Sequence, residues 1–227
     1  MGGRYVMDGS QYSKALNVAI RYLSYRSRTE YEMKKYLKGK SFDLDIITRV
    51  IDRLKEIGYI NDKEFISNYI NYTLAQGKKG IKLLELELTK KGISPDKIKK
   101  YIHLFEKEDE INFAIRLAND YFIKKKEEPL QKIKFNLYNN LKRKGFTEDS
   151  IKAAMRHLDQ DKKIRDIIKL QRDTHIKSAT KLAKNYYKKQ LKKETNDYIL
   201  KNKVKAYLSR RGYDYSIVTD VLNNLTD

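Results

Sequence analysis

The sequence of 227 residues has no cysteine, only two prolines and only three histidines. Without cysteine there is no disulfide framework, no thiolate zinc site and no thiol nucleophile. The histidines, His103, His157 and His175, lie far apart and form no cluster with ligand spacing. No glycine-rich phosphate loop ending in Lys-Ser or Lys-Thr occurs either. We therefore expect no metal, no cofactor and no catalytic site.

Long apolar runs are also lacking. Nowhere do eighteen uncharged apolar residues follow one another, so the sequence predicts no membrane-spanning helix. Residues 1–10 lack the apolar core of a secretory signal, and a chain without cysteine fits a reducing compartment. We predict a cytoplasmic protein with no membrane partner.

Basic residues dominate the charged ones. Fifty lysines and arginines stand against 30 aspartates and glutamates, which gives a net charge of +20. Such an excess favours a polyanionic partner, nucleic acid before membrane. Most of the basic residues are lysine, which attracts phosphate without reading base sequence. The four acidic residues at 106, 108, 109 and 110 are better explained as a charged connector than as a magnesium site.

The chain contains a fourfold internal repeat, whose copies align on Ser41, Gly92, Gly145 and Gly212. Apolar residues stand eight and four positions before each of these anchor residues, and one, six, ten and thirteen positions after it. The spacing of four indicates a helix face, and glycine at three anchors is typical of a helix C-terminal cap. The first copy has Ser41 at the anchor, and there we expect Gly39, two residues earlier, to serve as the C-terminal cap instead. Two residues after the anchors come side chains that can cap the next helix: Asp43, Ser94, Thr147 and Asp214.

A further amphipathic segment precedes each helix pair. The sequence thus predicts an all-α protein: an elongated, right-handed or gently curved array of tandem three-helix (helix-turn-helix-like) repeats. We divide the chain into a lead at 1–10, repeats at 11–60, 61–108, 109–158 and 176–227, and a charged linker or helix extension at 159–175. The predicted core includes Leu37, Leu54, Leu88, Phe105, Leu141, Leu158, Leu208 and Leu225.

Three ordered segments within residues 21–93 carry more specific motifs. The first contains Leu23, Arg26, Arg28, Thr29, Glu32, Met33, Lys34 and Leu37. The second contains Val50, Ile51, Asp52, Arg53, Leu54, Gly58, Tyr59, Ile60, Asn61, Asp62 and Phe65, and the third contains Gly80, Leu84, Glu87, Leu88, Lys91, Gly92 and Ile93. Together they resemble the signatures of the RecX family of regulatory proteins, with Thr29, Met33 and Ile60 in place of the usual Ser, Leu and Leu.

This resemblance implies a protein that is not an enzyme and that modulates, usually by inhibition, the RecA recombinase in DNA repair, recombination and the SOS response. It implies binding along the groove of the RecA filament on single-stranded DNA, with a weaker direct contact to that DNA, and we expect a monomer. Two alternatives stay open: a helical-repeat protein that binds nucleic acid directly and nonspecifically, and a scaffold that binds only protein.

Within the motifs, most residues have a structural interpretation. Thr29 and Glu32 have the spacing of a capping box, and Asn61 with Asp62 is expected to cap the following helix. Arg26 and Arg28 precede a helix N-terminus, where the helix dipole disfavours positive charge. They form either an ion pair inside the repeat or a contact with the filament or DNA.

The remaining candidate contacts are also basic. Several stand just before the anchors, where they either complement helix dipoles or form a periodic positive stripe: Lys40, Lys90, Lys91, Arg143, Lys144, Arg210 and Arg211. Others follow helical spacing beside Tyr186 and Tyr187, as phosphate contacts with a stacking ring or as a solvated face: Lys181, Lys184 and Lys188.

Overall fold

The computed structural model describes residues 3–225, with the side chains of residues 9–225. Over this range the chain forms thirteen α-helices and one short 3₁₀ helix, and it has no strand. The all-α class predicted from the sequence is therefore confirmed. The chain divides into two compact units, an N-terminal unit, Met1–Asp109, and a C-terminal unit, Glu110–Asp227. None of the helices between residues 3 and 225 is long and apolar enough to cross a membrane.

The N-terminal unit contains six α-helices and the 3₁₀ helix. They are α1 (Gly3–Leu23), α2 (Glu30–Gly39), α3 (Leu44–Glu56), α4 (Asp62–Gln76), α5 (Ile81–Lys90) and α6 (Pro95–Tyr101), followed by the 3₁₀ turn Ile102–Leu104. The predicted lead at 1–10 is helical from Gly3, and residues 1 and 2 lie outside the described residues.

The C-terminal unit contains seven α-helices, the first of which begins three residues before the unit's boundary at Glu110. They are α7 (Lys107–Lys125), α8 (Leu130–Arg143), α9 (Glu148–Gln160), α10 (Lys162–Leu170), α11 (Arg172–Leu191), α12 (Asp197–Arg210) and α13 (Tyr215–Asn223). The charged segment at 159–175 holds α10 as a separate helix, because Asp161 caps its first turn by accepting a hydrogen bond from the Ile164 N–H at 2.9 Å. Ile164 is buried in the same apolar cluster as α7, α8 and α9.

The apolar positions of the repeat form the core. All eight leucine and phenylalanine residues predicted to be buried are at most 6% exposed. Among the repeat positions the exceptions are only half buried: Phe42, Ile102, Met155 and Leu222. Spacing on a helix face therefore located the core correctly, since residues four apart lie one above the other on an α-helix.

Each of the four anchors ends a helix in the same way. The anchor has a positive φ, which is 62° at Ser41 and between 79° and 89° at Gly92, Gly145 and Gly212. Its N–H donates to the carbonyl three residues earlier, and the next N–H donates to the carbonyl five residues earlier, as Ile93 does to Leu88 at 3.2 Å. These bonds form the Schellman motif. The expectation that Gly39 serves as the C-terminal cap in the first copy is wrong. Ser41 itself adopts the left-handed conformation, and Gly39 lies inside α2.

Three of the four predicted N-caps are confirmed. Ser94, Thr147 and Asp214 accept hydrogen bonds from backbone N–H groups in the first turns of α6, α9 and α13. Asp43 precedes α3 with an extended backbone but makes no side-chain cap bond, which corrects the prediction at that position. An N-cap requires the side-chain rotamer as well as the backbone conformation.

Candidate functional site

The capping box predicted at the start of α2 is present and has an additional partner. The Thr29 hydroxyl accepts from the Glu32 N–H at 3.1 Å, and the Thr29 N–H donates to the Glu32 carboxylate at 3.2 Å. That hydroxyl also donates to the backbone carbonyl of Lys91 at 2.6 Å, and Thr29 is fully buried. The N-terminus of α2 is thus joined to the C-terminal end of α5.

The Glu32 carboxylate collects two of the candidate basic residues. Arg26 donates to it at 2.9 Å, and the Lys91 ammonium lies 3.3 Å away. Burial raises the pKa of the Glu32 carboxyl, but the hydrogen bonds from Arg26 and the Thr29 N–H, together with the charge of Lys91, outweigh it and hold the pKa below its ordinary value of 4.5. Arg26 therefore forms the ion pair inside the repeat that was one of its two interpretations.

Arg28 is placed differently. Its guanidinium lies 4.1 Å from the centroid of the Tyr22 ring, whose other neighbour is Tyr36, stacked at 3.7 Å. Lys40 lies 5.6 Å from the Tyr36 ring. Within the described residues Arg28 makes no ion pair, and its Nε is buried without a hydrogen-bond partner. Among the described residues, the contact recorded for this half-buried cation is with the Tyr22 ring.

A related stack lies near the chain's C-terminus. Tyr186 of α11 stacks on Tyr207 of α12 at 4.1 Å, and the Arg211 guanidinium lies 4.6 Å from the Tyr207 ring. Tyr36 and Tyr207 both stand five residues before an anchor, and Lys40 and Arg211 both stand one residue before it. The repeat therefore places a cation against a tyrosine pair in its first and fourth copies.

A cleft of about 560 Å³, which we call the Arg28 cleft, lies in the N-terminal unit beside Arg26, Arg28 and Lys91. Basic residues that line it are Arg26, Arg28 and Lys91, which we call its basic wall, and aromatic residues that line it are Tyr59, Phe65, Tyr69 and Tyr72, which we call its aromatic wall. The loops at 26–28 and 58–61, helix α4 and the end of α5 supply these residues. Basic and aromatic side chains that are distant in sequence thus meet at one site, which sequence reasoning did not foresee.

Lys91 and Tyr69 connect the two walls of the cleft. The Lys91 ammonium lies 5.5 Å from the Phe65 ring and 5.8 Å from the Tyr69 ring. The Tyr69 hydroxyl donates to the Glu87 carboxylate at 2.7 Å, and Lys79 pairs with the same carboxylate. Burial, with the hydrogen bond to Glu87, raises the pKa of the Tyr69 hydroxyl above its ordinary value.

The adjacent residues Asn61 and Asp62 have separate roles. Asn61 caps α4 by accepting from the N–H groups of Lys63 and Glu64, as predicted. Asp62 does not cap α4, which corrects that part of the prediction. Its carboxylate accepts from the Glu30 N–H, the first residue of α2, at 3.0 Å and pairs with Lys97 at 3.4 Å. A negative charge at the N-terminus of α2 complements the helix dipole.

Among the four acidic residues interpreted as a charged connector, Glu110 is the one that the structure corrects. It is only 2% exposed, and its carboxylate accepts hydrogen bonds from the Thr147 N–H, the Thr147 hydroxyl and the Ser150 hydroxyl at 2.5–3.2 Å. It therefore fastens α7 to the N-terminus of α9. Within residues 3–225 no group of three or more His, Asp or Glu side chains is arranged to hold a metal ion.

The candidate basic contacts fall into two classes of exposure. Lys91, Lys144 and Arg28 are half buried, and the others are exposed: Arg26, Lys40, Lys90, Arg143, Lys181, Lys184, Lys188, Arg210 and Arg211. Lys40, Lys91, Lys144 and Arg211 are the C-caps of α2, α5, α8 and α12, so a cation closes the second helix in every copy of the repeat. The lysines at 181, 184 and 188 lie on α11, where Tyr186 stacks inside the fold and Tyr187 donates to Asp197 at 2.8 Å.

Comparison with known proteins adds the family. The family model described as "RecX, first three-helix domain" matches residues 15–54, and the one described as "RecX, third three-helix domain" matches residues 173–222. Regulatory protein RecX of Streptococcus gordonii is 32% identical over 222 residues, which are 96% of this chain and 81% of the relative. Regulatory protein RecX of Streptococcus pneumoniae is 33% identical over the same length, 96% of this chain and 80% of the relative.

Solved structures agree with the sequence relatives. The crystal structure of RecX from Lactobacillus salivarius is 27% identical and superimposes with a TM-score of 0.60, covering 66% of this chain and 98% of that one. A second RecX crystal structure, 23% identical with a TM-score of 0.61, covers 66% of this chain and 75% of its own and bears on the fold alone. Given the identity over nearly its whole length, the chain belongs to the RecX family of regulatory proteins.

Proposed function

We propose that this protein regulates the RecA recombinase, and inhibits it, by binding along the groove of the RecA filament on single-stranded DNA. The observation that supports this most is the similarity to Regulatory protein RecX over 96% of the chain. The protein acts in this proposal as a cytoplasmic monomer without catalysis, as a modulator of DNA repair and recombination.

The arrangement of charge supports a partner with repeating structure. Lys90, Arg143 and Arg210 stand two residues before an anchor, in the last turns of α5, α8 and α12, and all three are exposed. A cation in the last turn of a helix stabilises that helix by about 0.3–1 kcal/mol through the helix dipole. The same exposed cation recurs at the same position of successive copies of the repeat, which favours a polyanionic partner and lets many weak contacts add.

The central experiment measures the ATPase rate of RecA on single-stranded DNA while the protein is titrated. The proposal expects the rate to fall as the protein is added and to reach a plateau when the filament is saturated. A rate that stays unchanged at a protein concentration well above that of RecA would contradict the proposal. The titration is repeated with RecA filaments formed beforehand, because a groove-binding protein acts on those as well.

The second candidate function is direct, nonspecific binding of nucleic acid, which the net charge of +20 favours. Affinity for bare single-stranded DNA and for the same DNA coated with RecA separates the two. A direct binder has equal or lower affinity for the coated DNA, since RecA covers its phosphates, whereas the regulator prefers the filament. For a scaffold that binds only protein, binding would not depend strongly on salt concentration.

A further inference from the structure

We propose that the Arg28 cleft holds one nucleotide of single-stranded nucleic acid, with the phosphate on the basic wall and the base against the aromatic wall. This deepens the proposed function, on which it rests for the choice of single-stranded DNA as the partner. The cleft's volume of about 560 Å³ lies within the range of roughly 300–1,000 Å³ that small-ligand sites occupy.

The first argument is a cation that lacks an anion. Arg28 lines the cleft, is half buried and makes no ion pair among the described residues. Its guanidinium carbon lies 4.1 Å from the centroid of the Tyr22 ring. A charge withdrawn from water is costly unless a partner charge or hydrogen bonds compensate it. A phosphate is the anion that the planar fork of an arginine binds well.

The second argument is the charge around Arg28. Arg26 and Lys91 share a single carboxylate, that of Glu32, at 2.9 and 3.3 Å. Together with Arg28 they make three cations, opposed by Glu32 and by the exposed Glu64, which also lines the cleft. The basic wall therefore keeps one positive charge in excess, which one bound phosphate would neutralise.

The third argument is the exposed aromatic rings. Tyr59 is 56% exposed and Tyr72 is 60% exposed, although both line the cleft. Tyr59 lies in the loop between α3 and α4, where the buried neighbour Ile60 supplies the packing. Tyrosine rings in a basic groove are the usual stacking surface for bases of single strands, without preference for one base.

Both walls together favour a nucleotide over an acidic segment of a protein. A carboxylate side chain needs only the cations, and it leaves Tyr59 and Tyr72 unused. A nucleotide uses both walls, because its phosphate and its base differ in chemistry and are separated by the sugar. The two occupants therefore make different predictions for substitutions of the two walls.

The test uses the full chain and two fluorescein-labelled eight-unit strands, oligothymidylate and an abasic strand with the same phosphates. Binding is measured by fluorescence anisotropy for the double variant Tyr59→Leu/Tyr72→Leu. We expect its affinity for oligothymidylate to fall about 5- to 100-fold, as the loss of base stacking requires. Its affinity for the abasic strand should change by less than about twofold, because phosphate contacts are retained.

Arg28→Gln tests the other wall. We expect this substitution to lower the affinity for both strands by the same factor, about tenfold, because the lost contact is to phosphate. The control for the tyrosines is Tyr198→Leu/Tyr215→Leu, two exposed rings of the C-terminal unit, and the control for charge is Arg165→Gln on α10. Both controls should bind oligothymidylate within about twofold of the wild-type chain.

Three outcomes with the tyrosine variants overturn the inference. They are unchanged binding of oligothymidylate by Tyr59→Leu/Tyr72→Leu, an equal loss of that variant's affinity for the abasic strand, and an equal loss of affinity in the control Tyr198→Leu/Tyr215→Leu. Octaglutamate that binds more tightly than oligothymidylate and depends on Arg28 would also overturn it, in favour of an acidic protein segment. RecA inhibition is scored separately with the ATPase assay. If the variants bind the two strands as expected but the wild-type chain leaves the RecA ATPase rate unchanged, only the proposed function is refuted. If the wild-type chain inhibits RecA but the variants do not bind the strands as expected, only the nucleotide site in the cleft is refuted.

Discussion

The hydroxyl of Thr29 donates to the carbonyl of Lys91 at 2.6 Å while it caps α2, so one buried side chain joins two helix ends 62 residues apart in sequence. The carbonyl belongs to the C-cap of α5, and the side chain of the same Lys91 reaches Glu32 in the first turn of α2. Backbone and side chain of one residue thus hold α2 and α5 together, beside the Arg28 cleft.

Thr29→Val removes the hydroxyl and keeps the shape of the side chain. We expect the free energy of unfolding to fall by about 2–3 kcal/mol, since the N-cap bond and the bond to the buried end of α5 are both lost. Thr29→Ser keeps the hydroxyl and should cost within about 1 kcal/mol, the contribution of one methyl group. Urea denaturation followed by circular dichroism measures both. Equal losses for Val and Ser would show that packing, and not hydrogen bonding, is the role of Thr29.

Leu88 and Leu86 are a matched pair on α5. Leu88 is fully buried, and Leu86 is 48% exposed. Leu88→Ala should lower the free energy of unfolding by about 2–5 kcal/mol, because it removes buried methyl groups and leaves a cavity. Leu86→Ala should lower it by less than about 1 kcal/mol, since Ala favours the helix and little apolar area is lost. The same denaturation experiment decides, and comparable losses would contradict the assigned helix face.

Gly92 and Gly58 both have positive φ, at 82° and 76°, but their surroundings differ. A Cβ at Gly92 would overlap the side chain of Tyr31, whereas no atom lies within 4 Å of one at Gly58. Gly58→Ala should cost about 1–2 kcal/mol for the left-handed backbone. Gly92→Ala should cost a further 1–3 kcal/mol or so for displacing Tyr31. The difference between the urea denaturation midpoints of Gly58→Ala and Gly92→Ala measures this. Equal midpoints would mean that the Tyr31 side chain moves away without cost.

Stability should depend on acid pH through Glu32 and Glu30. The pKa of Glu32 is lowered as described above, and the hydrogen bond from Lys34, with help from Lys55, lowers that of Glu30 although burial opposes it. Carboxyls whose folded pKa lies below the unfolded value of about 4.5 stabilise the fold above that pH. This contribution is lost as the pH falls through the folded pKa values.

Unfolding free energy measured from pH 7 to pH 3 tests this. We expect the wild-type chain to lose stability below pH of about 4.5. Glu32→Gln should be less stable than wild type at pH 7, and the gap should narrow as the pH falls. A gap between wild type and Glu32→Gln that stays constant with pH would contradict the role of the ion pairs.

The last prediction concerns the exposed cations two residues before the anchors and their part in binding RecA-coated DNA. A triple variant, Lys90→Gln, Arg143→Gln and Arg210→Gln, should keep its helical circular dichroism, because each cation adds only about 0.3–1 kcal/mol through the helix dipole. Its affinity for RecA-coated DNA should fall, and the slope of log affinity against log salt should flatten by up to about 2, since fewer counterions are released.

The control for that variant removes the same charge elsewhere. Lys35→Gln, Lys82→Gln and Arg156→Gln are three exposed positions on α2, α5 and α9. Their salt slope should change by less than half as much. If both triple variants behave alike, net charge alone governs binding, and Lys90, Arg143 and Arg210 only complete their helix ends.

The sequence by itself determined the helical class, most of the helix ends in the repeat and the core. Helix faces, Schellman ends and caps such as Ser94 depend on residues within about five positions of one another, so spacing and residue type predict them. Where a local prediction failed, at Asp43 and Ser41, a side-chain rotamer or a strained backbone decided the outcome.

Only the tertiary structure decided which polar groups meet across the helices. Asp62 caps α2 instead of α4, Glu110 is buried against α9, and Lys91 lies between Glu32 and the rings of the Arg28 cleft. These pairs are 22 to 59 residues apart in sequence. The angles and offsets at which helices pack bring them together, and a periodic pattern along one helix carries no information about where the next helix presents its polar side chains.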